Sequence, residues 1–109
     1  MISAHGTGTL YNDEMESKAL ALCGLSATPT HSLKSYVGHT FGAAGLIESI
    51  MVCKALQANK LIASLNFSTT GTPEPVLINK HTKDAKLNHV LKTASGFGGS
   101  NAALIWSKK

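Results

Sequence analysis

The sequence of 109 residues contains no arginine: its positive charges are ten lysines, set against four glutamates and two aspartates. Recognition of phosphates and base edges favours the forked guanidinium group, so its absence argues against a nucleic-acid partner. The net charge of +4 is compatible with attraction of an acidic protein. Solvated lysines that keep a surface soluble are the simpler interpretation of the same charges.

Cysteine and charge are also scarce. The two cysteines, Cys23 and Cys53, are too few for a disulfide framework or a zinc knuckle, and both stand in apolar, helix-like stretches. No segment resembles a signal peptide, and we expect no apolar run long enough to span a membrane. With 43% apolar and 15% charged residues, the sequence predicts a buried globular piece. We expect it to be cytoplasmic, with no membrane partner.

The order of apolar stretches and turns predicts a layered α/β arrangement. The predicted elements are a helix capped at Asn12 or Asp13 and stopped at Gly24, a loop at 27–32, short strands at 33–37 and 76–79, and a β-hairpin at 89–109. The strongest helical pattern covers residues 41–60, and because both of its sides are apolar we expect burial on most sides. Residues 2–4 are only the stump of an initial strand, so the fold looks incomplete.

Three polar turns lie at the ends of predicted strands. They are "HGTGT" at residues 5–9, "GH" at residues 38–39 and "GFGG" at residues 96–99. Loops at strand ends in layered α/β proteins gather into binding sites, so we expect these turns to lie close together. Their glycines match neither a P-loop nor a dinucleotide fingerprint, and no cofactor is expected.

The two histidines of these turns, together with Lys34, are candidate catalytic residues. His5 and His39 could each donate a hydrogen bond to one developing oxyanion, and Lys34 could add positive charge nearby. A histidine in a glycine turn can equally serve only local hydrogen bonding. We expect no metal site, because no third ligand stands at a recognisable spacing.

Glu48 stands inside the apolar helix pattern, where an unpaired carboxylate would be unfavourable. It therefore needs a partner of opposite charge. Lys34, which precedes the turn that leads into this helix, is the expected partner.

Three motifs follow one another along the chain: "HGTGT" followed by "ND" and Glu16, "LKSYVGH" running into "FGAAG" with Glu48, and "GFGGSNA". In register, these motifs resemble those of the β-ketoacyl-acyl carrier protein synthases, the thiolase-fold condensing enzymes of fatty acid and polyketide synthesis. The match covers essentially all 109 residues. The resemblance implies that residues 1–109 are the C-terminal part of a thiolase-like layered fold, with helices packed on a mixed β-sheet. The N-terminal half that bears the nucleophile is then absent.

The resemblance also implies roles for the residues of the turns. In the family a cysteine of the other half carries the acyl chain as a thioester. His5 and His39 match the two histidines that serve decarboxylation of the malonyl group. Lys34 matches the family lysine, and Glu48 matches the acid that orders this lysine.

Three further residues match positions that bind substrate. Thr7 and Thr9 match the threonines that line the pantetheine path, and Phe97 matches the phenylalanine that gates the acyl pocket. One departure from the family is Ser95, where a phenylalanine is usual. This departure predicts a wider or more mobile mouth of the acyl site.

The implied function is elongation of an acyl chain by decarboxylative Claisen condensation of malonyl-acyl carrier protein with an enzyme-bound acyl thioester. The implied partners are the acyl carrier protein and a second copy of the complete enzyme, as a homodimer. The 109 residues lack the nucleophile, so the chain alone is expected to be inactive.

Two alternatives remain open. Some synthase-like subunits have lost catalysis and act as chain-length partners in a heterodimer; the retained His5, Lys34 and His39 speak against this here. A thiolase-type degradative enzyme is disfavoured by Lys34 and by the "GFGG" turn.

Overall fold

A computed structural model describes all 109 residues. In chain order the elements are β1 (Ile2–Ser3), α1 (Leu10–Leu22), β2 (Thr30–His31), α2 (Lys34–Val37), a 3₁₀ turn (Phe41–Ala43), α3 (Ala44–Ala58), β3 (Lys60–Leu61), β4 (Lys83–Asp84), β5 (His89–Ser95), a second 3₁₀ turn (Phe97–Gly99) and β6 (Asn101–Ser107).

The main sheet has four strands in the order β2-β1-β5-β6. Strand β1 runs parallel to both of its neighbours, with Ile2 opposite Thr30 on one side and Leu91 on the other. Strands β5 and β6 form the predicted antiparallel hairpin. The short β1 is therefore central to the sheet, and Ile2 is fully buried. The expected fold class, helices on a mixed β-sheet, is confirmed.

Helix α3 packs one of its faces on this sheet. The core cluster consists of Val52, Leu56, Leu61, Leu87 and Val90. The other face of the helix is open, and it carries the exposed side chains Leu46, Ile50 and Met51. The expectation that this helix is buried on most sides is therefore wrong within this chain, because only one layer of the chain covers it.

The segment Phe41–Ala58 is long and apolar enough to cross a membrane, judged by length and composition alone. The expectation that no segment reaches this length is wrong by that measure. The core helix of a soluble protein meets the same criterion, and this helix buries the ionised side chain Glu48 against the rest of the chain.

Helix α1 begins at Leu10, earlier than the predicted cap at Asn12 or Asp13. Its N-cap residue is Thr9, whose side chain makes no capping hydrogen bond. Asp13 lies in the first turn, where its carboxylate accepts the backbone N–H of Thr7 at 3.2 Å. The predicted cap is therefore wrong: Asp13 lies inside the helix, and its carboxylate holds the turn that precedes the helix instead of capping the first helical N–H groups. The predicted stop at Gly24 agrees with the end of the helix at Leu22.

The predicted strand at residues 33–37 is instead the single helical turn α2. The strand lies earlier, at Thr30–His31, in the segment predicted to be a loop. Both strand residues are buried and pair with β1. In α2, residues 35–37 are exposed and only the side chain of Lys34 turns inward. The predicted strand at 76–79 contributes only a single bridge, from Ile78 to Thr30.

The two faces of α3 should respond differently to truncation. Val52→Ala is expected to lower the free energy of unfolding by about 2 kcal/mol, since it removes two methyl groups from a fully buried site. The control Ile50→Ala, on the open face, should change it by about 1 kcal/mol or less. Urea denaturation measures both, and equal losses would contradict this packing.

Candidate active site

The carboxylate of Glu16, a residue of α1, holds the turn that contains His5. Oε1 of Glu16 accepts the His5 N–H and Oε2 accepts the Gly6 N–H, each at 2.9 Å. The Thr93 hydroxyl, from β5, donates to the same carboxylate. The sequence indicates the position of Glu16 but not this role, in which one buried side chain ties the turn to both a helix and the sheet.

Gly6 makes the tight turn possible. Its φ is +39°, and a Cβ added at this position would lie 2.8 Å from the Cβ of Ser32. A larger residue would therefore meet both backbone strain and a steric clash. The Ser32 hydroxyl donates to the Gly6 carbonyl at 2.6 Å, which fixes the turn against the residues before α2.

The structure brings His5 and His39 together. Their ring centroids are 5.3 Å apart, with the rings nearly perpendicular. Nδ1 of His39 accepts the backbone N–H of Phe41 at 3.1 Å. A neutral imidazole that accepts at Nδ1 carries its proton on Nε2, so His39 has a free Nε2–H to donate.

Lys34 fixes the tautomer of His5 in the same way. Its Nζ donates to the His5 carbonyl at 2.6 Å and lies 3.3 Å from His5 Nδ1. An ammonium has no acceptor, so Nδ1 of His5 must accept and Nε2 must carry the proton. Both histidines therefore present an Nε2–H. The pKa of His5 is lowered, first by burial and then by the charge of Lys34, which favours the neutral ring.

The predicted ion pair between Lys34 and Glu48 is confirmed. Lys34 Nζ lies 2.8 Å from Oε1 of Glu48, and both side chains are buried. Burial alone would raise the pKa of the Glu48 carboxyl. Hydrogen bonds and charges from two lysines outweigh burial, so this pKa is lowered and the carboxylate is ionised.

The second lysine on this carboxylate is Lys92, which the sequence analysis did not identify. Its Nζ lies 2.6 Å from Oε2 of Glu48. Lys92 shares the inward face of β5 with Val90, because side chains alternate along a strand. The alternation in "HVLKTAS" was a usable signal that this lysine points into the protein.

His31 is a further buried residue that the sequence analysis missed. It is fully buried in β2, and neither ring nitrogen has a hydrogen-bond partner. Burial, and after it the charge of Lys92, lowers the pKa of His31 to about 4. The ring is therefore neutral at neutral pH.

The remaining candidate residues lie at the rim. The hydroxyls of Thr7 and Thr9 are 2.7 Å apart and hydrogen-bond to each other. Phe97 is fully exposed on the 3₁₀ turn between β5 and β6. This turn follows β5, the strand that carries Thr93, and the Thr93 hydroxyl accepts the backbone N–H of His5. The structure thus places His5, His39, Lys34 and Glu48 in one cluster, with the threonines beside it and Phe97 at a loop tip.

A cavity of about 410 Å³ lies beside the turn at residues 5–9. Its lining includes Thr7, Lys34 and several residues between positions 64 and 72. Neither His5 nor His39 is among its lining residues. The histidine pair therefore lies outside this cavity.

Comparison with known proteins gives a consistent result. Residues 1–68 match the family model described as the C-terminal domain of beta-ketoacyl synthases. The chain is 36% identical, over 95% of its length, to 3-oxoacyl-[acyl-carrier-protein] synthase 2 of Rhizobium meliloti. Among solved structures it is similar to a beta-ketoacyl synthase from Burkholderia phymatum STM815, with TM-score 0.92 and 33% identity over 99% of the chain. It is also similar to the ishigamide ketosynthase/chain length factor, with TM-score 0.89 and 33% identity over 99% of the chain.

The chain is much shorter than these proteins. It spans 25% of the Rhizobium meliloti synthase and 27% of each of the two solved chains. The similarity therefore concerns one part of each of them.

The neutral, buried His31 predicts a specific acid sensitivity. Its pKa falls from 6.5 in the unfolded chain to about 4 in the fold. Because the unfolded chain takes up the proton first, this contribution is complete above pH 6.5 and is lost as the pH falls towards about 4. Between about pH 7 and about pH 4.5 the free energy of unfolding should fall by about 2–3 kcal/mol through His31.

Urea denaturation at the two pH values tests this, with His31→Gln beside the parent. The variant should lose that much less than the parent on acidification. His81→Gln, at an exposed histidine, is the control and should behave as the parent does. Equal acid losses in the parent and in His31→Gln would contradict the assignment.

Proposed function

Because the chain belongs to the beta-ketoacyl synthase family, as its C-terminal domain, we propose that it supplies the decarboxylation residues of a condensing active site. The observation that carries the proposal is the histidine pair. The rings of His5 and His39 are 5.3 Å apart, and each has its Nδ1 occupied as an acceptor. Two Nε2–H donors are therefore available for one oxyanion.

The reaction begins with a malonyl thioester. The bond between its carboxylate and Cα breaks, carbon dioxide leaves, and the electron pair moves onto the thioester carbonyl oxygen as an enolate. Nε2–H donors held in place before the reaction stabilise this developing charge without reorganisation. The enolate carbon then attacks the carbonyl of an acyl thioester on the enzyme cysteine, and the thiolate leaves. In this proposal the cysteine belongs to the rest of the synthase.

Lys34 acts on this reaction through His5. Its hydrogen bond to the His5 carbonyl holds the turn, and its contact with Nδ1 holds the ring in the donor tautomer. Glu48 keeps Lys34 in place. Both are positioning residues in this proposal, and the catalytic donors are His5 and His39.

The substrate side of the proposal rests on the family and on the rim residues. We assign Thr7 and Thr9 to the pantetheine path and Phe97 to the gate of the acyl pocket. The full exposure of Phe97 on a glycine-rich turn supports a ring that moves. Ser95 in place of the usual phenylalanine then leaves the mouth of the site wider.

The chain alone is proposed to be inactive, because it brings the donors without the nucleophile. The open apolar face of α3 also favours aggregation or dye binding by the isolated chain. The activity, substrates and homodimeric state proposed here are those of a longer protein that contains this sequence.

A non-catalytic partner subunit is the second candidate. The similarity to the ishigamide ketosynthase/chain length factor is compatible with either kind of subunit. The intact network of His5, Lys34 and Glu48 favours the catalytic subunit, since a partner without catalysis has no need of two oriented donors.

Removal of either donor tests the proposal. In the full-length synthase, His5→Ala and His39→Ala should each lower the rate of carbon dioxide release from malonyl carrier protein by about 100- to 1,000-fold, the usual effect of losing one oxyanion donor. His81→Ala, at an exposed histidine, is the matched control and should leave the rate unchanged. If both donor variants release carbon dioxide as fast as the parent, the assignment is refuted. If the parent itself releases no carbon dioxide, the non-catalytic partner subunit is favoured.

The carrier protein is proposed to dock on the exposed lysines Lys80, Lys83 and Lys86. The name of the Rhizobium meliloti relative supports a carrier-protein substrate. Carrier proteins are acidic, and attraction of this kind is weakened by salt. Changing all three lysines to Glu should raise KM for carrier-bound substrate several-fold at low ionic strength, and less so at high salt.

The control for this experiment changes charge elsewhere, with Lys18→Glu and Lys109→Glu together. It should leave KM close to that of the parent. An unchanged KM in the triple variant at low ionic strength would mean that these lysines do not dock the carrier protein and serve only to keep the surface soluble.

A further inference from the structure

Lys92 lies behind the histidines and has no role in the function proposed above. It is a charged side chain on the central strand β5, with only 2% of the side chain exposed. Its Nζ lies 2.6 Å from Oε2 of Glu48, and it also donates to the carbonyls of Ser3 and Thr93. A lysine this deeply buried is maintained only where its charge is paired.

Lys34 and Lys92 each contact a different oxygen of the Glu48 carboxylate. Oε1 of Glu48 accepts from Lys34 and Oε2 pairs with Lys92. A carboxylate with a single ammonium partner can turn both oxygens towards it. Here the second ammonium holds Oε2 away from Lys34, so Lys34 keeps donors for the His5 carbonyl and for Nδ1 of His5.

Around Glu48 itself the charges do not cancel. Two buried ammonium groups face its one carboxylate, whereas the other buried carboxylate nearby, Glu16, contacts the backbone of the His5 turn and forms no ion pair with either lysine. A Lys34–Glu48 pair alone would be neutral. The added charge of Lys92 is felt in a poorly solvated region, where electrostatic interactions are stronger than in water.

We propose that Lys92 is a positioning residue of the condensing site. It binds one oxygen of the Glu48 carboxylate while Lys34 binds the other, and it thereby keeps Lys34 in contact with His5 and keeps His5 in the neutral Nε2–H form. The inference rests on the proposed function, because it deepens the role of the same histidine.

The surroundings of His5 give the direction of the effect. Four charged or titratable side chains face it, namely Lys34 from α2, Glu16 from α1, Lys92 from β5 and His39 from the following turn. Burial lowers the pKa of His5 most, Lys34 and Lys92 lower it further, and Glu16 raises it. Loss of the Lys92 charge should therefore raise the pKa of His5. A protonated His5 carries a proton on Nδ1 and can no longer accept from Lys34.

A purely structural role for Lys92 predicts a different effect of replacing it. Buried ion pairs are often replaced by apolar side chains of similar volume without loss of stability. If Lys92 only filled space beside Val90, Lys92→Met would leave the histidine and the reaction as they are. The titration of His5 therefore distinguishes positioning from packing, whereas stability alone does not.

The experiment compares Lys92→Met and Lys92→Arg with the parent, all as full-length synthase. The control is Lys18→Met, which makes the same change at an exposed lysine. Two readouts are taken over a range of pH: kcat for carbon dioxide release from malonyl carrier protein, and hydrogen–deuterium exchange at Cε1 of His5, followed by mass spectrometry. The exchange gives the titration midpoint of His5 without any need for activity.

In Lys92→Met we expect the His5 midpoint and the acid limb of the kcat profile to move together to higher pH. We expect kcat on the plateau to fall on the order of tenfold, comparable to one weakened hydrogen bond in the transition state. Lys92→Arg keeps the charge and should stay near the parent in both readouts, as should Lys18→Met. If circular dichroism shows that the Met variant is not folded, Lys92→Gln replaces it, with the same expected shifts.

Two outcomes overturn the inference. One is a His5 midpoint that is the same in the neutral variants as in the parent. The other is a midpoint that moves as far in Lys92→Arg as in Lys92→Met. Failure of the proposed function looks different: the parent would release no carbon dioxide, while the midpoint of His5 would still respond to Lys92.

Discussion

Glu48 places a carboxylate inside an apolar helix, where it would be strongly unfavourable without partners. Lys34 from α2 reaches one oxygen and Lys92 from β5 reaches the other. The carboxylate therefore ties helix α3 to the sheet and to the turn before it. A change that removed one partner would leave an uncompensated buried charge, which typically costs about 3–5 kcal/mol. The arrangement of the histidines depends on this tie, because Lys34 is also the group that contacts His5.

The His5 turn is held from two further sides. Glu16 binds its backbone N–H groups and Thr93 supports the same point from the sheet. A glycine turn has little structure of its own, so the orientation of the ring is imposed by charged side chains from neighbouring elements. The result is an imidazole that is mostly buried, lowered in pKa and fixed as an Nε2–H donor. In the proposed reaction such preorganisation would stabilise the enolate, since the donors need not reorient as charge develops.

Features with a local signal were predictable from the sequence. The β5–β6 hairpin, the long helix and the Lys34–Glu48 pair follow from a glycine turn, an apolar period and the cost of a lone buried carboxylate. Features defined only by tertiary contact were missed. A two-residue strand such as Thr30–His31 is too short to show the alternation of a strand. Residues 33–37 have the composition of a short strand, but Lys34–Val37 folds as a helical turn. In the sequence, Lys92 and His31 look like ordinary polar residues; the fold buries both side chains, and Lys92 pairs with Glu48.

Two lysines hold Glu48 as a buried, ionised carboxylate. A titration of the side-chain carboxyl of Glu48, followed by carbon-detected NMR on protein labelled at glutamate, measures this state. We expect a pKa below the ordinary glutamate value, because the two ammonium groups outweigh the effect of burial. A Glu48 pKa at or above the ordinary value would contradict this arrangement, since burial would then prevail and the lysines would not hold the charge.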